Sequence, residues 1–189
     1  MSTKSDLKLV LPPTGPWKRV KAMVPKNFFG AGAKKDFAWY FQGESLVKVK
    51  NSSEACKWLS QCKYISDLEL FMEADFWQHP ITFERIRQGD CDDHALWLWR
   101  KLNELGYICE LVVGKFVRQV GENARNIRGP RNGHAWVIFK EKTQDKWFLV
   151  ETTEKNHRKM LMTAEESQHI YVPEYSIDGS LQTYKFQKF

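Results

Sequence analysis

The chain has 189 residues, of which 42% are hydrophobic and 14% aromatic, with eight tryptophans. This length and composition predict one well-packed domain, and they argue against a second full domain or a long disordered tail. The formal charge of +6 resides in the first 50 residues, which hold ten Lys/Arg against three Asp/Glu; the remainder holds 19 against 20. No secretory signal or membrane-spanning run is visible, so we expect a cytoplasmic protein without a membrane partner.

The N-terminal segment is basic and contains several prolines and glycines. We assign residues 1–35 to an irregular or loosely docked arm and residues 36–189 to a single domain. Aromatic residues between the basic ones, such as Trp17 and Phe28, are compatible with nucleic-acid binding. No known nucleic-acid motif is present, so we favour packing of these aromatics on the domain over nucleic acid as a partner.

The next part of the chain alternates short apolar runs with turn residues. Two short strands are predicted, at Phe37–Phe41 and Leu46–Val49. Asn51 is expected to cap a helix that carries apolar residues at helical spacing. Two further short helices are predicted, one from Asp67 to about Asp75 and one from Pro80 to about Gly89.

The clearest predicted element is a helix that begins at Cys91 and ends before Gly106. Asp90 is its expected N-cap. Cys91 heads the apolar face, which continues through Ala95, Leu98, Trp99, Leu102 and Leu105. The residues expected on the opposite, outward face are Asp92, Asp93, Arg100, Asn103 and Glu104. Free N–H groups and the helix dipole at such a start favour a thiolate and can hold an oxyanion.

The C-terminal half reads as antiparallel strands. Strands are predicted at residues 110–117, 134–139 and 146–152, and a hairpin through Asp178-Gly179 joins residues 170–177 to 180–186. Helices followed by antiparallel strands indicate the α+β class. The polar stretch Arg118–Gly133 precedes His134, and three interpretations stay open for it: a lid, a clamp for an anionic group or an ordinary loop.

The four cysteines form no CxxC pair, which excludes a zinc ribbon and a thioredoxin-type redox centre. Cys56, Cys62 and Cys109 are interpreted as reduced, small core residues. His94 lies one helical turn after Cys91 and is an alternative base or half of a metal pair. No second ligand pair follows, so we expect no metal and no cofactor. The remaining histidines, expected to be surface or packing residues, are His79, His157 and His169.

A cysteine, a histidine and a carboxylate stand at the ends of predicted elements: Cys91, His134 and Glu151. A thiol nucleophile needs a base and a group that orients the base. If the last two strands of this part form a hairpin through residues 141–144, His134 lies directly opposite Glu151. Both faces of that hairpin are apolar, which predicts a central strand pair that is buried on both sides.

The motifs resemble the transglutaminase-like superfamily of papain-like thiol enzymes, and most closely its bacterial transglutaminase-like cysteine proteinase branch. The segments that carry the resemblance are Gly89–Ala95, Leu105-Gly106, Val112–Gly114, Gly133–Val137 and Trp147–Thr153. The resemblance implies a nucleophile helix packed on an antiparallel sheet. It also implies Cys91 as nucleophile, His134 as general base and then acid, and Glu151 as the orienting carboxylate. The family usually has aspartate in this last place, and Gln88 is a candidate for its oxyanion donor.

These features predict a thiol-dependent hydrolase of peptide or isopeptide-type amides that works through a thioester, with a peptide or protein as substrate. Acyl transfer to an amine is the alternative, because a thioester permits either reaction. A non-catalytic binding module with the same fold is the competing class. Trp136, and also Trp77 or Trp97, are expected to wall the substrate cleft. The sequence does not indicate an oligomeric state.

Overall fold

The computed structural model describes residues 17–116, 133–144, 146–168 and 170–188. The α-helices within these residues are Ser52–Leu59 (α1), Asp67–Phe71 (α2), Pro80–Ile86 (α3), Cys91–Glu104 (α4) and Ala164–Ser167 (α5). Single-turn 3-10 helices lie at Lys26–Phe28, Phe37–Phe41 and His157–Lys159. The helices predicted from Asp67 and Pro80 are confirmed but end earlier than expected. No helix in the described part of the chain has the length and apolar character needed to cross a membrane.

The β-strands of the described residues are Trp17–Lys21 (β1), Lys63–Tyr64 (β2), Gln88–Gly89 (β3), Ile108–Phe116 (β4), Gly133–Lys140 (β5), Trp147–Val150 (β6), Leu161–Met162 (β7), Tyr171–Asp178 (β8) and Thr183–Lys188 (β9). Within these ranges, seven strands form one antiparallel sheet in the order β1-β9-β8-β4-β5-β6-β7. Strands β2 and β3 form a separate parallel pair. The α+β class and the β8–β9 hairpin are therefore confirmed.

The centre of the sheet is covered on both faces. Val137 and Phe139 belong to the main hydrophobic core between the sheet and α4. Trp136 and Ile138, which alternate with them along β5, belong to a second core cluster on the other face. The prediction that this strand pair is central and buried on both sides is thus confirmed for β5. Strand β6 lies next to the edge strand β7, and only its Leu149 and Val150 are fully buried.

Helix α4 has the predicted bounds, but its polar face is not exposed. Asp90 caps its start, and Gly106, at a φ of 74°, follows its end. The expectation that Asp92, Asp93 and Arg100 face outward is wrong, because all three are buried. The helix lies between the sheet on one side and α1, α3 and the 3-10 helix Phe37–Phe41 on the other, so no long face is left for solvent.

The two strands predicted between residues 37 and 49 are absent from the described structure. Phe37–Phe41 is a 3-10 helix, whose three-residue repeat buries Phe37 and Tyr40 together. The Arg100 guanidinium donates to the carbonyls of Tyr40 and Gln42 at 3.1 and 2.9 Å. Buried charged side chains thus form hydrogen bonds with backbone groups that would otherwise bond to a neighbouring strand.

The same reason explains the missing strand at residues 46–49. The N–H groups of Leu46 and Val47 donate to the Glu84 carboxylate at 2.7 and 3.3 Å. The Val47 carbonyl accepts a hydrogen bond from the Lys101 ammonium group at 2.7 Å. Backbone groups that are satisfied in this way have no need of a sheet.

The N-terminal segment is more closely integrated than an irregular arm. Strand β1 pairs with β9 at the edge of the sheet. Phe29 and Ala33 are buried in the main core. Residues 1–16 lie outside the described residues, so the boundary between arm and domain stays a prediction.

Candidate active site

The proposed nucleophile, Cys91, is the first residue of α4 and is partly exposed. The Oδ1 of Asp90 accepts a hydrogen bond from the N–H of Asp92 at 3.3 Å, which fixes the helix start. All four cysteines lie within the described residues, and the other three are buried free thiols in the core, as predicted. Burial raises the pKa of the Cys56 thiol to about 12. Cys91 is therefore the cysteine that is open to the surface.

Histidine and carboxylate meet at the end of the sheet next to Cys91. His134 is the second residue of β5, and Glu151 directly follows β6. The Nε2 of His134 lies 2.7 Å from Oε2 of Glu151. The Cys91 side chain lines the same cleft as His134 and contributes to the raised pKa of the His134 ring. Because Glu151 occupies Nε2, the nitrogen left for the sulfur is Nδ1, and the structure brings all three predicted residues together.

The strand register that was expected to bring them together is wrong. The ladder pairs Lys140 with Trp147 and Val137 with Val150, two residues away from the predicted register. His134 is therefore not directly opposite Glu151; if the ladder continued, Trp136 would be. A slip of two residues keeps every side chain on its predicted face. The long glutamate side chain then closes the diagonal distance to His134.

Four hydrogen-bond donors surround the Glu151 carboxylate. Oε2 accepts from His134 and from the Tyr171 hydroxyl, each at 2.7 Å. Oε1 accepts from the N–H and the hydroxyl of Thr153 at 3.0 and 2.6 Å. Burial acts to raise the pKa of Glu151, but the hydrogen bond and the charge of His134, with the Thr153 and Tyr171 bonds, lower it to about 2. The carboxylate is thus held ionised.

The environment of His134 favours its charged form. Burial acts to lower the pKa of His134, but its side-chain interactions with Cys91 and Glu151, and then the negative charge of Glu151, raise it to about 10. An imidazolium between a thiolate and a carboxylate is the arrangement that an activated thiol requires.

A cleft of about 410 Å³ opens onto Cys91 and His134. Its aromatic walls include Phe28, Tyr64 and Trp77. Carboxylates also line it, namely Asp67, Asp75, Asp90, Asp92 and Glu174. The walls come from segments far apart in the sequence, so spacing within one motif gave no signal for them.

The predicted tryptophan walls match this cleft only in part, and the predicted oxyanion donor does not match it. Trp136 is fully buried in the second core cluster and does not line the cleft, and Trp97 is buried against Trp58 with ring centroids 4.2 Å apart. Trp77 does line it. Gln88 lies in β3, where its backbone carbonyl accepts a hydrogen bond from the Gln78 amide at 2.9 Å. Gln88 is not among the cleft residues either.

Three carboxylates, two of them buried and one half-buried, gather beside Cys91. Asp67, Asp75 and Asp92 can each present one oxygen within 4.8 Å of the others. Oδ1 of Asp67 and Oδ1 of Asp92 have no hydrogen-bond partner among the described residues. Burial raises the pKa of Asp67 to about 7, although the N–H of Phe76 donates to its Oδ2 at 2.6 Å and opposes the rise. Such a set of hard oxygen atoms suits a divalent cation.

Two further histidines among the described residues, His94 and His79, have backbone partners. His94 is fully buried, its Nδ1 lies 2.7 Å from the Asp90 carbonyl, and burial lowers its pKa to about 4. It is therefore a poor competitor for the role of base. His79 was expected to be a surface or packing residue, but its Nδ1 caps α3 by accepting from the N–H of Ile81 at 3.2 Å. His169 and residues 118–132 of the polar stretch lie outside the described residues, so the lid or clamp stays a prediction.

A scan against protein-family models finds no match, and no curated protein sequence matches. Calcium-bound LapG from Legionella pneumophila aligns with a TM-score of 0.50 and 17% identity, over 79% of this chain and 77% of the LapG chain. The chain has the transglutaminase-like fold. A second LapG structure gives a TM-score of 0.48 over 79% and 77% of the two chains, and EGTA-treated LapG gives 0.47 over 78% and 74%, each at 17% identity.

In this transglutaminase-like fold, the start of a central helix meets one end of an antiparallel sheet. Cys91 occupies the helix start, and His134 and Glu151 occupy that end of β5 and β6. The fold confirms the expected architecture of a nucleophile helix packed on the sheet. At this identity, it is the fold that the likeness establishes.

Proposed function

We propose that the chain is a thiol-dependent hydrolase of peptide or isopeptide-type amide bonds, with Cys91, His134 and Glu151 as its triad. The observation that carries this proposal is the convergence of three groups. The partly exposed sulfur of Cys91 and the imidazole of His134 line one cleft, and the imidazole is hydrogen-bonded to the buried carboxylate of Glu151. A histidine that served packing alone would not need an acidic partner with three further donors. We also propose a cytoplasmic location, where the thiol stays reduced.

The first half of the proposed reaction makes a thioester. His134 holds the proton of the Cys91 thiol as an imidazolium, and the sulfur attacks the carbonyl carbon of the amide. The negative charge on the former carbonyl oxygen is stabilised by the N–H of Cys91, which has no acceptor among the described residues and lies at the positive end of α4. His134 then gives its proton to the amide nitrogen, which leaves as an amine.

The second half releases the acyl group. His134 removes a proton from water, the hydroxide oxygen attacks the thioester carbon, and the C–S bond breaks to give a carboxylic acid and the Cys91 thiolate. Glu151 stays ionised throughout and holds the imidazole ring. We favour water over an amine as acceptor because four aspartates and Glu174 line the cleft, and such carboxylates keep it hydrated.

Thiol alkylation tests the triad directly. Iodoacetamide near neutral pH should label Cys91 at least about tenfold faster than Cys56, Cys62 or Cys109 in the folded chain, as measured by peptide mass spectrometry. His134→Ala should remove this preference. His157→Ala is the matched control, because His157 lies in a short 3-10 helix away from the cleft and should not change labelling.

A second measurement separates the possible functions. The chain is incubated with an unfolded protein and a fluorescent primary amine, and both new termini and amine incorporation are followed. New termini without incorporation support hydrolysis, whereas incorporation would assign acyl transfer instead. Uniform slow labelling of all four cysteines, together with neither product, would contradict the enzyme and favour the binding module.

We also propose that Asp67, Asp75 and Asp92 hold a divalent cation, with Ca²⁺ as the first candidate. Two observations support it: the buried oxygens of Asp67 and Asp92 lack partners among the described residues, and the three carboxylates converge. LapG, whose fold the chain shares, has a calcium-bound form. A bound cation would keep these carboxylates ionised and tie α2 to the start of α4. This proposal departs from the sequence-based expectation that the site needs no metal.

Thermal unfolding tests the cation proposal. Saturating Ca²⁺ should raise the Tm by several degrees, about 2–6 °C, relative to EGTA. Asp67→Asn should lose this response, whereas Asp36→Asn, which changes a highly exposed aspartate, should keep it. An equal Tm in Ca²⁺ and EGTA would rule out a stabilising site, and an equal response of both variants would place the ion elsewhere.

A further inference from the structure

The Glu151 carboxylate receives a hydrogen bond from a side chain on a distant strand. The Tyr171 hydroxyl donates to Oε2 at 2.7 Å, the same oxygen that faces His134. Tyr171 is the first residue of β8, and β4 and β5 lie between β8 and β6 in the sheet. The contact therefore reaches across one face of β4 and β5, and the β5–β6 hairpin alone cannot form it.

The phenol ring of Tyr171 is rigidly placed. The residue is 3% exposed. Its ring lies edge-on to Trp136 and Phe116, with centroids 5.1 and 5.3 Å away. Burial, and then the neighbouring charge of Glu151, raises the pKa of Tyr171 well above its usual range. The hydroxyl thus stays protonated and acts as a fixed donor toward the carboxylate.

A glutamate in this position needs such a support more than an aspartate would. It has one more rotatable bond, and the two-residue slip of the ladder makes it reach diagonally to His134. Thr153 holds Oε1, but the carboxylate can still pivot about that oxygen and carry Oε2 away from His134 unless Oε2 is held as well. Tyr171 provides that second attachment.

We propose that Tyr171 is a positioning residue that holds Oε2 of Glu151 against the His134 ring. Tyr171 does not line the cleft at Cys91, so it acts through Glu151 and not on a substrate. This inference rests on the proposed function of the triad. The other titratable groups near His134 are Cys91 and, in a separate opening beside the ring, Tyr64, Glu154 and Lys155.

The test measures the His134 pKa in the full-length chain by ring-nitrogen NMR. Tyr171→Phe should lower the His134 pKa by about one unit and slow Cys91 alkylation about tenfold, because Oε2 is no longer held. In a Glu151→Gln background, Tyr171→Phe should change the alkylation rate by less than about twofold and the His134 pKa by less than about 0.3 unit. Tyr184→Phe is the matched control, because it removes a tyrosine–carboxylate bond of 2.8 Å to Asp178, which does not line the cleft.

Each outcome of this test supports or overturns the positioning role of Tyr171. An unchanged His134 pKa in Tyr171→Phe, or an equal fall in the Glu151→Gln background, would overturn the positioning role. If the His134 pKa falls while Cys91 alkylation never depends on His134, the positioning holds and the proposed function fails. If Tyr171→Phe does not fold, the fallback measurement is the NMR resonance of Tyr171 Cζ, compared between the wild type and Glu151→Gln. That resonance must move, while the Tyr184 resonance stays in place.

Discussion

The Nε2 of His134 lies 2.7 Å from Oε2 of Glu151, although the ladder of β5 and β6 would place Trp136, and not His134, opposite Glu151. The contact is diagonal and depends on the length of the glutamate side chain. Thr153 and Tyr171 hold the two oxygens of this longer side chain, at a position where the resembling family usually has aspartate.

Shortening this carboxylate should impair the site. We expect Glu151→Asp to slow Cys91 alkylation by about tenfold or more, because the shorter side chain cannot span the diagonal to His134. Glu151→Gln should also slow it, since it keeps the reach but loses the charge. The measurement is the rate of Cys91 labelling by iodoacetamide, with thermal unfolding as the check on folding. Labelling of Glu151→Asp at the wild-type rate would show that the register slip has no functional consequence.

The charged His134 should make stability depend on pH. Its folded-state pKa of about 10 lies above the ordinary 6.5, so its stabilising contribution is complete below pH 6.5 and is lost as the pH rises through 10. The quantity of interest is the free energy of unfolding of the wild type minus that of His134→Gln. We expect this difference to be larger at pH 6 than at pH 10 by at least about 1 kcal/mol. Urea unfolding at both pH values measures this difference, and a constant difference would contradict the raised pKa.

The buried guanidinium of Arg100 should be essential for the segment that precedes α1. It donates to the backbone carbonyls of Tyr40, Gln42 and Gly43. Arg100→Leu leaves these acceptors unpaired, so we expect a loss of about 2–4 kcal/mol in the free energy of unfolding. Arg85→Leu, at an exposed position of α3, is the control and should change it by less than about 0.5 kcal/mol. Similar losses in both variants would count against the buried network.

The turn after α4 should require glycine for its backbone conformation and not for space. Gly106 has a φ of 74°, and an added Cβ would lie 3.8 Å from its nearest neighbour, the Lys142 ammonium nitrogen. Gly106→Ala should therefore cost about 1 kcal/mol through backbone strain alone. Gly133→Ala is the matched comparison, with a similar clearance of 3.9 Å and no positive φ, and should have little effect on urea unfolding.

Local signals in the sequence located the elements that carry the triad. Asp90 as cap and Gly106 as stop gave the bounds of α4, and alternating apolar residues gave β5 and β6 with the correct faces. The register between those strands was wrong because it was inferred from an assumed loop length, whereas the structure closes the hairpin with Lys140 opposite Trp147. Even so, the face assignment survived, since a slip of two residues leaves alternation unchanged.

Charged residues were the least predictable part of the chain. Asp92, Asp93 and Arg100 were expected in water because their helical positions oppose the apolar face, yet α4 is enclosed on both sides. Whether a polar residue is buried depends on what the rest of the fold places over it, and periodicity within one helix does not contain that information.

The sequence by itself determined the elements on which the proposed thiol, imidazole and carboxylate lie, because capping residues and alternation act over a few neighbouring positions. The tertiary structure decided how these groups are held: the diagonal reach of Glu151, the hydroxyl of Tyr171 and the carboxylates of Asp67 and Asp75 beside α4. These contacts join residues that are distant in sequence. Their geometry follows from how strands and helices pack as a whole, which no local pattern encodes.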